Sequence, residues 1–182
     1  MSEAVAETVP GPLQATGTTP SEAFEALYRS SFPRVYGYVA TLLRDRSAAE
    51  EVTAQAFERA YRKRRSFRPS RGTEEAWLFG IARNAALDEL RRRKRRAGLE
   101  AEPEDVHAAG TAELADTALR REAVRAALGR LPARERELVA LKFGGGLSHD
   151  EIARVVGISA SNVGTRLHRT LDKLRKDCDE DA

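Results

Sequence analysis

The stretch SHDEIARVVGISASNVGTRLHRTLDKL, residues 148–174, decides the reading of this chain. Ser148 stands three residues ahead of Glu151. That is the spacing of a capping box, in which the hydroxyl accepts from the Glu151 amide and the carboxylate reaches back. Ile152, Ala153 and Val156 then share one face of a short helix. Gly157 offers the positive φ that a tight turn needs. Ile158 leads into Ser159, a second cap, and into a helix with Val163, Leu167, Leu171 and Leu174 as its apolar side. Two helices that cross closely need a small side chain at the crossing, and Ala153 supplies it. Ile158 and Val163 fill the wedge. The combination is a helix-turn-helix pattern.

A pair of packed helices in an ordinary bundle would need the same apolar residues. The opposite face of the second helix separates the two readings. It offers Ser161, Asn162, Thr165, Arg166, His168 and Arg169, the residue types that contact base edges and phosphates when such a helix lies in a major groove.

Working back along the chain, every periodic segment is helical. Residues 1–20 are rich in Gly, Pro, Thr and Ala and read as a disordered arm. Ser21 with Glu22 and Glu25 resembles a capped helix start, and Phe24, Leu27 and Tyr28 begin an apolar stripe. Pro33 is expected to bend or restart this helix before Val35, Tyr38, Val39 and Leu42. A second helix is expected from about Ser47, as cap, to Arg64, with Val52, Ala56, Phe57 and Ala60 inward. A third spans about Thr73 to Arg96, with Trp77, Leu78, Ile81, Ala82, Ala85 and Leu90 apolar. The Pro, Gly and Ser content of residues 66–72 marks a loop. Residues 97–112 have no apolar face and read as a linker. Helices near Ala115–Gly129, using Leu119, Val124 and Leu128, and over Ala133–Phe143 precede the quoted stretch. No segment alternates as a strand does. The expected fold is all-α: two small helical domains, 21–96 and 113–178, joined by a flexible acidic linker, the second containing the helix-turn-helix.

Charge supports this division. The 182 residues carry a net +3, but residues 21–96 hold +8, residues 97–119 hold −6 and residues 120–182 hold +3. Basic blocks on either side of an acidic spacer point to a polyanionic partner. Arg91–Arg96 is a run of six cations, which also suits the C-terminal end of a helix. Phe67, Arg68 and Arg71, with Trp77 just beyond, combine aromatic and cationic groups near a loop, as unpaired bases require. For Trp77, core packing at helical spacing explains the residue equally well. Glu50, Glu51 and Glu58 form an acidic face in this basic block, suited to solubility or to docking a basic protein. No apolar run approaches the roughly 20 residues of a membrane span. The N-terminal residues lack the basic and apolar regions of a secretory signal. Cys178 is the one cysteine, which excludes an internal disulfide and a cysteine-rich zinc site and suits a reduced cytoplasm.

These residues resemble a known family. Residues 28–62 and 66–96 look like region 2 of an extracytoplasmic-function (ECF) sigma factor, and LPARERELVALKFGGGLSHDEIARVVGISASNVGTRLHRTLDKLRK, residues 131–176, looks like its region 4. The resemblance implies a cytoplasmic subunit that binds core RNA polymerase and promoter DNA, both duplex and single-stranded, with an anti-sigma factor as partner. It implies no cofactor, no metal and no catalytic residue. For region 2 it implies polymerase docking through Glu50, Glu51, Ala54, Gln55, Phe57 and Glu58, with Ala54-Gln55 where the family usually has Gln-Glu. It implies minus-ten contacts from Phe67, Arg68, Ser70, Arg71, Trp77, Asn84, Arg91, Arg92 and Arg93. For region 4 it implies minus-thirty-five contacts from Ser159, Ser161, Asn162, Thr165, Arg166, His168 and Arg169. Gly164 stands where the family often has Lys or Arg, at about 1 kcal/mol of helix propensity.

Two rival functions fit fewer residues. A stand-alone helix-turn-helix repressor or activator leaves the Phe67–Trp77 loop and Arg91–Arg96 unused. A nuclease or other hydrolase needs an acid or histidine cluster. His107, His149 and His168 lie in a linker, a cap region and a recognition helix instead, and no acids have metal-ligand spacing.

Overall fold

The computed structural model describes residues 20–97 and 124–180, and within them every regular element is helical. Helix α1 is Pro20–Leu43, α2 is Arg46–Lys63 and α3 is Glu74–Ala97. Helical backbone over 124–130 is α4, followed by α5, Ala133–Val139. Then come α6, His149–Val156, and α7, Ala160–Glu180. The arm over 1–19, the linker beyond Ala97, Leu119 and His107 lie outside the described residues.

Helices α1, α2 and α3 pack together around Val35, Tyr38, Val39, Val52, Ala56, Phe57, Phe79 and Ala82, which are all buried. Pro33 does not restart α1, which runs unbroken through it. The helix is already formed at Pro20, so Ser21 lies inside it and not at the expected start. The cap of α2 is Asp45, not Ser47. Arg44 adopts φ 53 and ends α1, Asp45 is extended, and its Oδ1 accepts from the Ala48 amide at 3.0 Å. This amide bond is the largest of the effects that hold the Asp45 carboxyl below its ordinary range.

The expected helix over Ala133–Phe143 is α-helical only to Val139. Residues Ala140–Gly144 form a π-helical turn, and Gly145 closes it by donating to the Ala140 carbonyl at 2.8 Å. A side chain at Gly145 would meet the Leu141 carbonyl and the Phe79 ring, so only glycine lets the turn approach α3 this closely. Val124 is exposed, and Ala127 takes the buried position on α4.

The helix-turn-helix forms as its residues require. Ser148 and Glu151 make a complete capping box. Gly157 adopts φ 81, and Ile152 and Val163 are fully buried. The Ser159 hydroxyl caps α7 by accepting from the Asn162 amide at 3.2 Å. Helix α6 also packs on α3, and α5 with its π turn packs on α1. The two halves of the chain therefore share one continuous core.

Candidate nucleic-acid interface

Val163, Leu167 and Thr170 turn inward from α7, which leaves Ser161, Asn162, Thr165, Arg166, His168 and Arg169 on the exposed face. Several are ordered by neighbours one turn away. Arg166 Nε donates to Asn162 Oδ1 at 2.9 Å, and Thr165 donates to the Ser161 carbonyl at 3.0 Å. His168 Nδ1 lies 2.8 Å from Asp172. Arg169 meets no acid among the described residues and projects its whole charge outward. Ser159 differs from the rest, because its oxygen is already occupied as a cap. Gly164 lies beside α6: a Cβ placed there would sit 3.5 Å from His149 Nδ1. His149 thus stands next to the position where the sequence lacks a side chain.

A second surface lies on α3. Trp77, Gly80 and Asn84 follow one another at spacings of three and four, hence on one helix face. Asn84 is exposed, and its carboxamide has no partner among the described residues. A Cβ added at Gly80 would meet no atom within 4 Å, so an open shelf separates Trp77 from Asn84. Phe67 borders it, with its ring 5.7 Å from that of half-buried Trp77. Arg68, Ser70 and Arg71 are exposed beside them, Arg68 just ahead of the short helical turn Pro69–Arg71 and the other two on it. An open helix face with an aromatic edge, an amide and flanking guanidinium groups has the chemistry to hold an unpaired base.

The six-cation run is divided in its roles. Arg93 is half-buried and closes the α1–α2 junction: it donates to the Leu43 carbonyl at 3.4 Å, to Asp45 at 2.9 Å and to Glu89 at 2.8 Å. Arg92 pairs with the same Glu89, and Arg91 with Asp88 at 3.0 Å. Burial alone would raise the Glu89 pKa, but the hydrogen bonds from Arg93 and Arg92 carry it below the usual glutamate range. Lys94, Arg95 and Arg96 remain exposed.

On the outer face of α2, Glu50, Glu51, Ala54 and Glu58 are exposed and Gln55 is half-exposed, donating to Glu51 at 3.0 Å. Phe57 is not with them. It is buried under Tyr28 and Phe32, with ring centroids at 4.8 and 5.7 Å, and supports the face from behind.

Sequence reasoning missed a polar cluster between the two halves. Tyr38, fully buried, donates to Glu137 Oε1 at 3.0 Å, and Arg83 Nε donates to the same oxygen at 2.7 Å. Burial, then the Glu137 carboxylate, pushes the Tyr38 phenol well above its usual range, so it stays a donor. Glu137 adjoins the buried Leu138 and shares the stripe of Leu141, and a carboxylate on an apolar stripe was the one available signal.

No helix among the described residues is long and apolar enough to cross a membrane, and no group of three or more His, Cys, Asp or Glu there could hold a metal ion. Residues 27–96 match Sigma-70 region 2, and residues 121–174 match Sigma-70, region 4. The ECF RNA polymerase sigma factor RpoE of Cereibacter sphaeroides is 32% identical over 159 residues, 85% of each chain. RNA polymerase sigma factor CarQ of Myxococcus xanthus is 36% identical over 158 residues, 85% of this chain and 88% of CarQ. Among solved structures, the sigma factor RpoE bound to the anti-sigma factor NepR from Bartonella quintana shares the fold. Its TM-score is 0.72 at 23% identity, covering 88% of this chain and 99% of that one. With both regions matched in order and relatives above 30% identity along most of their length, this chain belongs to the ECF RNA polymerase sigma factors.

Proposed function

We infer that this chain binds core RNA polymerase, directs it to specific promoters and promotes strand opening at the start of transcription. One observation carries the reading. The chain holds two surfaces of different character, a helix-turn-helix with its polar face outward and an open shelf between Trp77 and Asn84 beside an arginine-bearing loop. The first suits a duplex major groove and the second suits a base taken out of the stack. The helix face reads the minus-thirty-five element through Ser161, Asn162, Thr165, Arg166, His168 and Arg169. The shelf takes a non-template base of the minus-ten element, with Phe67 and Trp77 stacking and Asn84 bonding its edge. Lys94, Arg95 and Arg96 add sequence-independent phosphate attraction. The face of Glu50, Glu51, Ala54 and Glu58 docks the polymerase.

The chain is a regulator and not an enzyme; the polymerase does the chemistry. It works in the cytoplasm. A solved relative in complex with an anti-sigma factor supports such a partner here. Run-off transcription with core polymerase on a genomic promoter library tests the reading. The expected result is a set of start sites that share two upstream elements and depend on this chain. Start sites identical with and without it would refute the function.

A further inference from the structure

Among the described residues, Arg44 is the one residue other than glycine with a positive φ. It takes φ 53 at the end of α1, where helices are commonly closed by glycine or asparagine. Other side chains seldom adopt this conformation, and it persists only where the surroundings hold it. Here the turn carries the Arg44 guanidinium to the end of α4, where Nη2 donates to the Gly129 carbonyl at 2.6 Å. Arg136 of α5 reaches the same oxygen through Nη1, at 3.3 Å. Arg44 is exposed and Arg136 is half-buried.

Because both bonds end on one oxygen, the two donor nitrogens are at most about 6 Å apart, a distance at which like charges repel. Their shared acceptor is the C-terminal end of a helix, which carries at most about half an elementary negative charge against two positive ones. No carboxylate among the described residues bonds to either guanidinium. Asp45, next to Arg44 in the chain, turns instead to the Ala48 amide and to Arg93. Burial, then the Arg44 charge, pulls the Arg136 guanidinium below its usual pKa range, with no acid to offset them. Arg136 Nε is buried and donates to nothing. By contrast, Arg34, Arg83 and Arg93 each meet a carboxylate. Three costs thus fall on one spot: a left-handed arginine, two crowded cations and an empty buried donor. A bound anion offsets the second and third, and the need to place Arg44 beside Arg136 accounts for the first.

We propose that Arg44 and Arg136 form a binding site for the phosphate group of a small molecule, either free phosphate or a phosphorylated metabolite. Arg136 gives up the longer of the two carbonyl bonds and turns Nε and a terminal nitrogen, side by side, to two oxygens of the anion. That is the bidentate geometry that guanidinium and phosphate share. Arg44 keeps the Gly129 carbonyl and donates from its remaining nitrogens. A terminal phosphate carries about −1.5 to −2 at neutral pH and so balances both cations, whereas a carboxylate balances one. Each phosphate of a DNA backbone also brings a single charge, and a duplex stays outside the surface that covers Arg136 Nε. Occupancy stabilises the folded chain by mass action. The site uses no residue of the α7 face or of the Trp77–Asn84 shelf, and it does not rest on the promoter reading.

Two measurements on the full chain test it: the phosphorus NMR line width of inorganic phosphate titrated with protein, and thermal unfolding in potassium phosphate against potassium chloride at equal ionic strength. The wild-type sequence is expected to broaden the phosphate resonance saturably and to melt higher in phosphate. Arg44→Gly removes one guanidinium and suits the left-handed backbone. It is expected to melt no lower than wild type in chloride and to bind phosphate at least tenfold more weakly. Arg136→Gln weakens phosphate binding to the same degree, and Arg95→Ala, in the exposed cationic run, leaves it unchanged. Phosphate binding that persists in both Arg44→Gly and Arg136→Gln overturns the site. So does equal melting of the wild type in the two salts, or acetate that binds as tightly as phosphate. An Arg44→Gly chain that melts well below wild type in chloride refutes the crowding and strain on which the site stands. A random-sequence duplex that binds tenfold more weakly to Arg44→Gly, with phosphate broadening unmoved, makes the pair a DNA contact and overturns the proposal. Adenosine triphosphate without magnesium, in the same titration, separates the sources. Binding tighter than that of phosphate supports a phosphorylated metabolite, and weaker binding supports the free ion.

Discussion

Gly80 lies in the second turn of α3, inside the helix where glycine is ordinarily avoided, and it is the floor of the shelf between Trp77 and Asn84. Its φ is not positive, so the backbone asks for nothing that only glycine provides. A Cβ there meets no atom within 4 Å, so Gly80→Ala adds a methyl group without a clash. Glycine is about 0.8–1.0 kcal/mol worse than alanine in a helix interior, and that difference should appear as added stability. For a chain of this size the melting temperature should rise by roughly 2–4 °C. Function should move the other way. Gly80→Leu retains most of the helix propensity but fills the shelf, and loss of one stacked base is worth about 1–3 kcal/mol. Open-complex formation should therefore drop about 5- to 150-fold. Thermal unfolding by circular dichroism and permanganate reactivity of the minus-ten thymines with core polymerase measure the two effects. A pre-melted bubble should not rescue the loss, because the defect is in holding the base. A Gly80→Leu chain that melts higher and opens promoters as well as wild type would refute the shelf as a base site.

Arg169→Ala should weaken minus-thirty-five duplex binding in one of two ways. A base-reading arginine costs about 1–3 kcal/mol and relaxes one base pair, whereas a phosphate contact weakens every sequence alike; an unchanged binding curve on a full set of single-base variants rejects both. Arg93→Ala and Arg95→Ala should separate cleanly. The first removes hydrogen bonds to Asp45 and Glu89 and should destabilise the fold by about 1–3 kcal/mol in urea unfolding. The second should leave stability alone and lessen the salt slope of DNA binding by about 0.7–0.9. Glu89 binds its proton less readily when folded than unfolded, so its contribution is present above the ordinary glutamate range and is lost as pH falls through its folded value. Acid should therefore lower the melting temperature more in wild type than in Glu89→Gln, and parallel pH profiles would contradict that.

Features whose causes lie close together in the chain were legible in the sequence. The Ser148–Glu151 box, the left-handed Gly157 and the buried Val163 need only neighbours within a few residues, and each residue type has few other uses there. Asp45 was harder to read, because its role as cap depends on Arg44 taking a positive φ at the corner between two helices. Pro33 misled because a proline weakens a helix locally, while the continuity of α1 is set by its packing on α2 and α3. Phe57 and Arg93 carry residue types that suit contact, yet Phe57 is buried in the core and Arg93 is spent on ties to Leu43, Asp45 and Glu89. The Tyr38–Glu137 bond joins residues 99 apart, and no periodicity reports such a pairing. The shelf was half visible: Trp77 and Asn84 were named, but the empty space over Gly80 is a property of the packed helix alone.

The bare position at Gly164 bears on how such regulators diverge after gene duplication. A methyl group there would make only ordinary contact with the His149 ring, and its arrival would strengthen the helix. Most changes of specificity trade stability for novelty, since a new contact is carved from a residue that was already packing. At residue 164 a drifting copy of this gene can acquire a longer side chain beside the face proposed to read DNA while its fold grows sturdier. A daughter regulator could thus leave its parent's promoters without passing through a weakened intermediate.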